Sequence, residues 1–323
     1  MQRNTALVTG GNSGIGFECA RALARQGWHV AIASRDAKTS AEAARRIAAE
    51  SGGDAVSVFS LDLGSLASVR QFAKEIDARN LPLRALVLNA GIQFQTGPRL
   101  SADGFESTFA VNHLGHFLLA NLLIPRLLAQ TPARIVVVAS GVHDPKQRTG
   151  MPHAAITDMD TLAASGGPSR DRFDGRLAYV NSKLCNVWFV YELARRLEAG
   201  GLGRGGALTV NGFDPGLVPG SGLARDYSPA LRWIWNNVLP GVATVLNPFM
   251  AGMSTAPKSG GALARLVTDP ALEGVSARYF PSTARWREAP SSEESYDAAR
   301  AGELWEASVR MAALAPGESV LRR

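Results

Sequence analysis

The stretch that decides the fold is TALVTGGNSGIGFECARALARQGWHV, Thr5–Val30. A short apolar run, Ala6-Leu7-Val8, enters a loop carrying Gly10, Gly11, Gly14 and Gly16, and helical spacing follows over Gly16–Gln26. The run reads as a strand, the loop as a tight turn and the remainder as a helix. Glycine permits positive φ and leaves room where a Cβ would collide. The N–H groups that open a helix, together with its dipole, favour a phosphate. Strand, glycine loop and helix in this order suit a dinucleotide at the first βα turn.

The same alternation continues outward. Short β-rich or apolar runs lie at Ala6–Thr9, His29–Ser34, Val56–Leu61, Leu86–Asn89, Ile135–Ala139 and Leu208–Gly212. Helical spacing occupies Gly16–Gln26, Thr39–Ala49, Ser65–Ala78, Ala102–Ala129 and Ala178–Glu198. Repeated βαβ units predict an α/β fold, a parallel sheet with helices on both faces. No linker divides the chain, so residues 1–323 read as one domain. It carries a substrate-loop insertion over about 141–178 and an apolar flap over about 220–257. Beyond residue 213 the chain is rich in Pro, Trp and Gly, and the rhythm breaks.

The chain has 323 residues, 46% of them hydrophobic, and a formal charge of +6. Its arginines are dispersed, which argues against nucleic acid and for an anionic small ligand. Cys19 and Cys185 have no CxxC spacing, so a reducing, cytoplasmic setting is expected. The first apolar run reads as a strand rather than a signal peptide. Leu231–Met253 is apolar, yet it contains Asn236, Asn237, Pro240, Asn247 and Pro248. A span of about 20 apolar residues should not be broken that often. It reads as a flap over a site rather than a transmembrane span, with peripheral membrane contact as the lesser reading.

The second run ends Ala33-Ser34-Arg35. An NAD site places an acid there for the ribose hydroxyls. A small neutral Ser34 followed by the guanidinium of Arg35 suits a 2′-phosphate, which favours NADP(H). Asp36 is expected to point outward or cap the next helix. Further on, Tyr179-Val180-Asn181-Ser182-Lys183 falls on a helix. Residues four apart share a face. A free phenol titrates near 10, about three units or ~4 kcal/mol from neutrality. One positive charge ~4 Å away, at an effective dielectric of about 20, supplies roughly that much. The pair can therefore make Tyr179 an acid/base. Ser140 ends the run IVVVAS, where a hydroxyl can hold a substrate oxygen. Asn112, in VNHLGHF, can hold a water that returns protons through Lys183.

With these motifs in order, the sequence resembles the short-chain dehydrogenase/reductase family. The resemblance rests on TGxxxGxG at Thr9–Gly16, Asp62-Leu63, Asn89-Ala90-Gly91, Asn112, Ser140, Tyr179 with Lys183, and Pro215-Gly216. It implies a Rossmann-type, doubly wound sheet and hydride transfer from a nicotinamide. It implies a tetrad of Asn112, Ser140, Tyr179 and Lys183. It places Gly10, Asn12, Ser13, Gly14, Ile15 and Gly16 on the cofactor, Asp62 and Leu63 at the adenine, and Asn89, Ala90 and Gly91 along the cofactor. Tyr179 and Lys183 meet it again, and Pro215, Gly216 and Val218 lie at the carboxamide end. Within the family, GWHVAIASRD, VNHLGHFLLANLL and AYVNSKLCNVWFVYELARRL look like retinol dehydrogenases and light-dependent protochlorophyllide reductases, and Ser292–Glu306 looks like their C-terminal helix. Ser140 and Leu217 depart from the latter, which usually carry Thr and Cys. The family's usual Thr near position 220 is missing, with Ser221 as the substitute. The retinol dehydrogenases often carry an anchor before the first strand, and none is expected here.

The expected reaction is interconversion of a carbonyl and an alcohol on a lipophilic small molecule. The alternatives are reduction of a carbon–carbon double bond in a protochlorophyllide-like pigment and a non-catalytic NADP-binding regulator. A homo-oligomer is left open. His113 and His116 read as packing groups rather than metal ligands, so no metal is expected. Cys185 reads as a small core residue. Trp233 and Trp235 pave a substrate pocket or pack the flap. His143 and the segment 144–176 are placed at the mouth of the site, with substrate selection set against disorder.

Overall fold

The structure, a computed structural model, describes every residue except 1–2, 54, 148, 170–171, 221–225, 227, 240, 242–251, 283–286 and 322–323. Seven strands form one sheet in the order β3-β2-β1-β4-β5-β6-β7. They are β1 Thr5–Thr9, β2 His29–Ser34, β3 Val56–Ser60, β4 Leu83–Leu88, β5 Ala133–Val138, β6 Leu208–Asp214 and β7 Tyr279–Pro281. Every neighbouring pair is parallel. The chain therefore reverses its winding direction between β1 and β4, the doubly wound arrangement that opens a crevice at the carboxyl ends of the strands.

The helices are α1 Gly14–Arg25, α2 Ala37–Ser51, α3 Leu66–Arg79, α4 Ser107–Leu128, α5 Met159–Ser165, α6 Gly175–Ala199, α7 Pro229–Trp233, α8 Ala256–Thr268 and α9 Ala298–Met311. Alternation along each strand sends side chains into two separate cores. Leu7, Leu86, Leu88, Ile135 and Val137 join Phe72, Phe117, Trp188 and Trp305 from α3, α4, α6 and α9. Ala6, Val8, Ala85, Val87, Val136 and Val138 join Phe17, Leu23, Ile47, Leu263 and Leu266 from α1, α2 and α8. The window of α4 that is long and apolar enough to cross a membrane is 94% buried between such layers.

Three elements depart from the sequence reading. β7 is only three residues long and carries no alternation of its own; it is a strand because Gly212, Phe213 and Asp214 of β6 pair with it. α8 lies in the region that appeared to break the rhythm. It packs on α1 so closely that a Cβ on Gly260 would come within 2.3 Å of the Glu18 side chain. The C-terminal helix begins at Ala298, later than the stretch Ser292–Glu306 suggested, after a short turn over Glu293–Tyr296.

Over its described residues the insertion is tied to α6 and α9. Asn181 of α6 accepts from Ala155 N–H at 2.8 Å and donates to the carbonyls of Ala155 and Gly166 at 3.0 and 2.9 Å. Arg300 of α9 donates to the Ile156 carbonyl at 2.8 Å. The segment is a buttress between α6 and α9. Much of the flap, including Ser221, lies outside the described residues. Of its described part, α7 continues into a π-helical turn over Ile234–Val238. Trp233 there is 61% exposed while Trp235 is 8% exposed.

Candidate active site

The carboxyl ends of β1, β4, β5 and β6 carry the residues singled out above. At β1, Gly10 and Gly14 adopt φ of +65° and +55°. Gly16 is a matter of space: a Cβ there would sit 2.4 Å from both Asn89 Nδ2 and the Gly10 carbonyl oxygen. Beside Gly14, by contrast, nothing lies within 4 Å of where a Cβ would be. Ser13 caps α1 without a side-chain hydrogen bond. The helices α2, α3, α4, α5, α6, α8 and α9 all have a side chain accepting from first-turn N–H groups. Only at α1, among these, does the cap leave the N–H groups without an internal acceptor. With the helix dipole behind them, they fit an anionic oxygen.

Asn12 points the other way, donating to Thr39 Oγ1 at 2.8 Å and fastening the loop to α2. Ile15 packs against the second core. At the end of β2, Ser34 pairs with Ser40 at 2.6 Å and Asp36 caps α2 by accepting from Thr39 N–H at 3.0 Å. Arg35 is exposed beside them. Beyond β3, Asp62 accepts from Gly64 N–H at 2.9 Å, and the Leu63 carbonyl lies where only a glycine, Gly115, can pass.

Asn89 donates to the Thr9 carbonyl at 2.8 Å, and the N–H groups of Asn89 and Ala90 both reach Thr9 Oγ1, at 2.9 and 3.0 Å. A Cβ on Gly91 would lie 3.5 Å from Asn112 Oδ1 and 3.7 Å from Lys183 Nζ. Three of the sequence-predicted positions thus meet at one point. Asn112 sits in a π-helical turn of α4, Ala110–Leu114. Such turns recur at functional sites because they free backbone groups from the ordinary ladder. Its amide is held on both sides: Oδ1 accepts from Ile92 N–H at 2.8 Å, and both Nδ2 hydrogens are donated, to the Ile92 carbonyl and Ser182 Oγ, each at 3.0 Å.

Lys183 donates to the Val138 carbonyl of β5 at 3.1 Å and lies 5.5 Å from the centroid of the Tyr179 ring. Burial pushes its ammonium down to about 8, with Asp214 opposing that fall. The ammonium is therefore still the favoured form at neutral pH. Ser140 follows β5 in extended backbone and opens a short turn over Gly141–His143. His143 is not at the mouth of the site. It is buried, with Nδ1 2.6 Å from the Ser140 carbonyl and Nε2 accepting from Ser292 N–H at 3.2 Å. It holds the Ser140 turn against the C-terminal region.

After β6, Gly216 (φ +70°) donates to Asp214 Oδ1 at 2.9 Å, and the Pro215 carbonyl accepts from Ser259 and Ser282 hydroxyls at 2.7 and 2.6 Å. Val218 is buried and Leu217 exposed. Asp214 escaped the sequence reading. Its carboxyl is buried, also faces the Gly141 N–H beside Ser140, and is pushed up by burial against the pull of His143 and Lys183. The acid standing directly before Pro215-Gly216 was the available signal.

His113 and His116 face different partners. His113 Nε2 meets Ser308 Oγ at 2.8 Å among Phe109, Phe117 and Phe189, while His116 bonds Thr9 and Asn112. Burial pushes the Cys185 thiol up, as for a core residue. A cavity of about 440 Å³ lined by Tyr191, Arg195, Glu198, Leu208 and Tyr296 opens at the opposite, amino-terminal edge of β6 and is remote from this chemistry.

The profile of the short chain dehydrogenase family matches residues 4–155. A WW domain-containing oxidoreductase of Danio rerio is 37% identical over 305 residues, 94% of this chain and 67% of the relative. A chloroplastic protochlorophyllide reductase of Chlamydomonas reinhardtii is 34% identical over 331 residues, 97% of this chain and 79% of the relative. A solved structure from Beutenbergia cavernae, assigned as an NAD(P) dependent gluconate 5-dehydrogenase with NADP bound at low occupancy, superposes with a TM-score of 0.62 at 26% identity. It covers 88% of this chain and 96% of that one. Sheet order, glycine loop, tetrad positions and these relatives agree: the chain is a member of the short-chain dehydrogenase/reductase family.

Proposed function

We propose that this chain is an NADP(H)-dependent oxidoreductase that interconverts a carbonyl and an alcohol on an apolar small molecule. The observation that carries the reading is the meeting of Asn112, Lys183 and Gly91 at one point, with the Tyr179 ring on the same helix face as Lys183. When bound, NADPH supplies a hydride to the carbonyl carbon. Gly10, Gly14 and Gly16 with the open start of α1 hold its phosphates, and Arg35 favours the 2′-phosphate. Ser140 donates a hydrogen bond to the substrate oxygen. Tyr179 gives that oxygen its proton, and the Lys183 ammonium stabilises the phenolate left behind. The Asn112 carbonyl faces the water that restores the proton. The NADP held by the Beutenbergia relative supports the cofactor. Trp233 and Trp235 on the flap support an apolar substrate. The continuous sheet supports one domain over residues 1–323.

Turnover of NADPH and NADH against retinoids, steroids and aliphatic and aromatic ketones tests the reading. NADPH should be the better donor, and Tyr179→Phe should lower kcat by about 10³. Faster turnover with NADH would remove the role given to Arg35. A second reading, reduction of a carbon–carbon double bond in a protochlorophyllide-like pigment, is favoured by the 34% identity to the Chlamydomonas enzyme. Light-dependent consumption of that pigment with NADPH would establish it, and none under illumination would exclude it. A non-catalytic NADP-binding role requires the biological activity to survive Tyr179→Phe.

A further inference from the structure

The structure assigns His116 as a positioning residue, held as the Nδ1–H tautomer, that locks the Asn112 carbonyl to the ends of β1 and β4. The assignment rests on counting donors and acceptors around Thr9, Asn112 and His116, all fully buried. Thr9 Oγ1 has two lone pairs, and both are used by the N–H groups of Asn89 and Ala90, at 2.9 and 3.0 Å. Its proton has two acceptors within reach: His116 Nε2 at 2.9 Å and, less favourably, the Val87 carbonyl at 3.3 Å. Nε2 is therefore an acceptor, and the ring proton sits on Nδ1. From there it donates to the Asn112 carbonyl at 3.1 Å.

The other tautomer fails twice. It sets the Nδ1 lone pair against the Asn112 carbonyl lone pairs, and it presents Nε2–H to a hydroxyl oxygen with no lone pair left. An imidazolium fails for the second reason. It is also opposed by burial and by the Lys183 ammonium from α6, which together push His116 down to about 4. The other titratable neighbour is His113 on the same helix, itself pushed down to about 3.

The result is one uninterrupted path. Thr9 binds the Asn89-Ala90 turn, His116 binds Thr9 to the Asn112 carbonyl, and the Asn112 amide binds Ile92 and Ser182 of α6. The glycine loop and the proton-handling helix are thereby registered through one imidazole. His116 touches neither cofactor nor substrate; it acts by orienting the Asn112 carbonyl. The kinetic part of this inference rests on the function proposed above, whereas the tautomer does not.

Two variants separate the halves of the contact. In His116→Asn the amide nitrogen takes the place of Nδ1, which keeps the Asn112 contact and drops Thr9. In His116→Gln the longer amide reaches the place of Nε2, which keeps Thr9 and drops Asn112. The expected outcome is a loss of kcat of about tenfold in His116→Gln, against less than about threefold in His116→Asn, with KM for NADPH within about threefold in both. Equal losses in the two variants, in step with lowered Tm, would reduce His116 to packing and overturn the role. Side-chain 15N spectra of the full chain, with His116 assigned by its loss in either variant, supply the independent readout. They should show the Nδ1–H pattern, unchanged between about pH 5 and 9. The Nε2–H pattern, or titration near the ordinary 6.5, overturns the assignment. Should the wild-type chain reduce no carbonyl, the spectra still decide the tautomer, so the two failures are told apart.

Discussion

The loop that leaves β1 and the loop that leaves β6 both end at helices packed on one another, α1 and α8, yet they are specified in different ways. The first spans only residues 10–13, and much of its path is local: Gly10 takes positive φ, and its carbonyl is one of the two groups, with Asn89, that leave no room for a Cβ on Gly16. The second runs from Pro215 to Thr255 and is held at its root by groups from far along the chain. Ser259 and Ser282 both donate to the Pro215 carbonyl, and Leu217 forms a bridge with Met253. Further out, Asp226 accepts from Gln95 N–H at 2.9 Å and from Arg99 at 2.8 Å, which ties it to the segment after β4. A short loop can be written in its own residues. A long one borrows its shape from distant partners, because closure entropy must be offset by contacts outside it.

The largest expected effect tests the short loop. Gly16→Ala forces a Cβ into the 2.4 Å gap against Asn89 and the Gly10 carbonyl, so NADPH affinity by fluorescence titration should fall by at least about 100-fold. Gly14→Ala meets nothing and pays only the left-handed backbone cost of ~1–2 kcal/mol. Equal effects of the two would break the comparison. Next, Arg35→Ala should reduce the preference for NADPH over NADH in kcat/KM by about tenfold or more, since a charge-assisted contact to a 2′-phosphate is lost. A preference unchanged by the substitution would place the 2′-phosphate elsewhere.

The long loop should respond more mildly and in a different constant. Ser259→Ala and Ser282→Ala each remove one donor from the same carbonyl, at ~1 kcal/mol of stability. KM for the carbonyl substrate should rise several-fold while the Kd of NADPH stays put; the reverse pattern would mean the root of this loop serves the cofactor. The smallest effect concerns pH. Lys183 is held at about 8 by burial, and the Asp214 charge favours its protonated form. Activity that needs the ammonium is therefore retained below that value and lost as pH rises through it. Asp214→Asn removes the negative charge, makes the ammonium easier to deprotonate, and moves the alkaline limb of kcat/KM to lower pH by about a unit or less. A limb that moves to higher pH would contradict the placement of Asp214.

The same contrast explains how far the chain could be read unfolded. His29–Ser34 forms the expected strand because its apolar run is bounded by Gly27 and Asp36. Asp36 caps α2, one of the two roles expected for it, because an aspartate at that point has N–H groups two and three residues ahead. Asn112, Tyr179 and Lys183 were legible as residue types at fixed spacing on helices. Asp214 was not: its place directly before Pro215-Gly216 is a faint signal, and only the approach of Gly141 and Lys183 makes its charge matter. How the insertion after Ser140 is anchored was not legible for the same reason. Asn181 and Arg300 bind it from elements that the chain reaches later. β7 owes its existence to β6, whereas α8 has an apolar face of its own, Leu263, Ala264, Leu266 and Val267, that packs on α1.

What the amino-acid order by itself determined is the alternation of strand and helix, the open glycine turn at α1 and the spacing of tyrosine and lysine on one helix face. These depend on interactions within a few residues, where rotamers, φ preferences and helical period act directly. What only the tertiary structure decided is which groups share a buried environment. Asp214 acts on Lys183, His116 joins Thr9 to Asn112, and two serines close the Pro215 turn. Electrostatic and hydrogen-bond energies depend on distance and desolvation, and neither is defined until the sheet has brought β1, β4, β5 and β6 side by side.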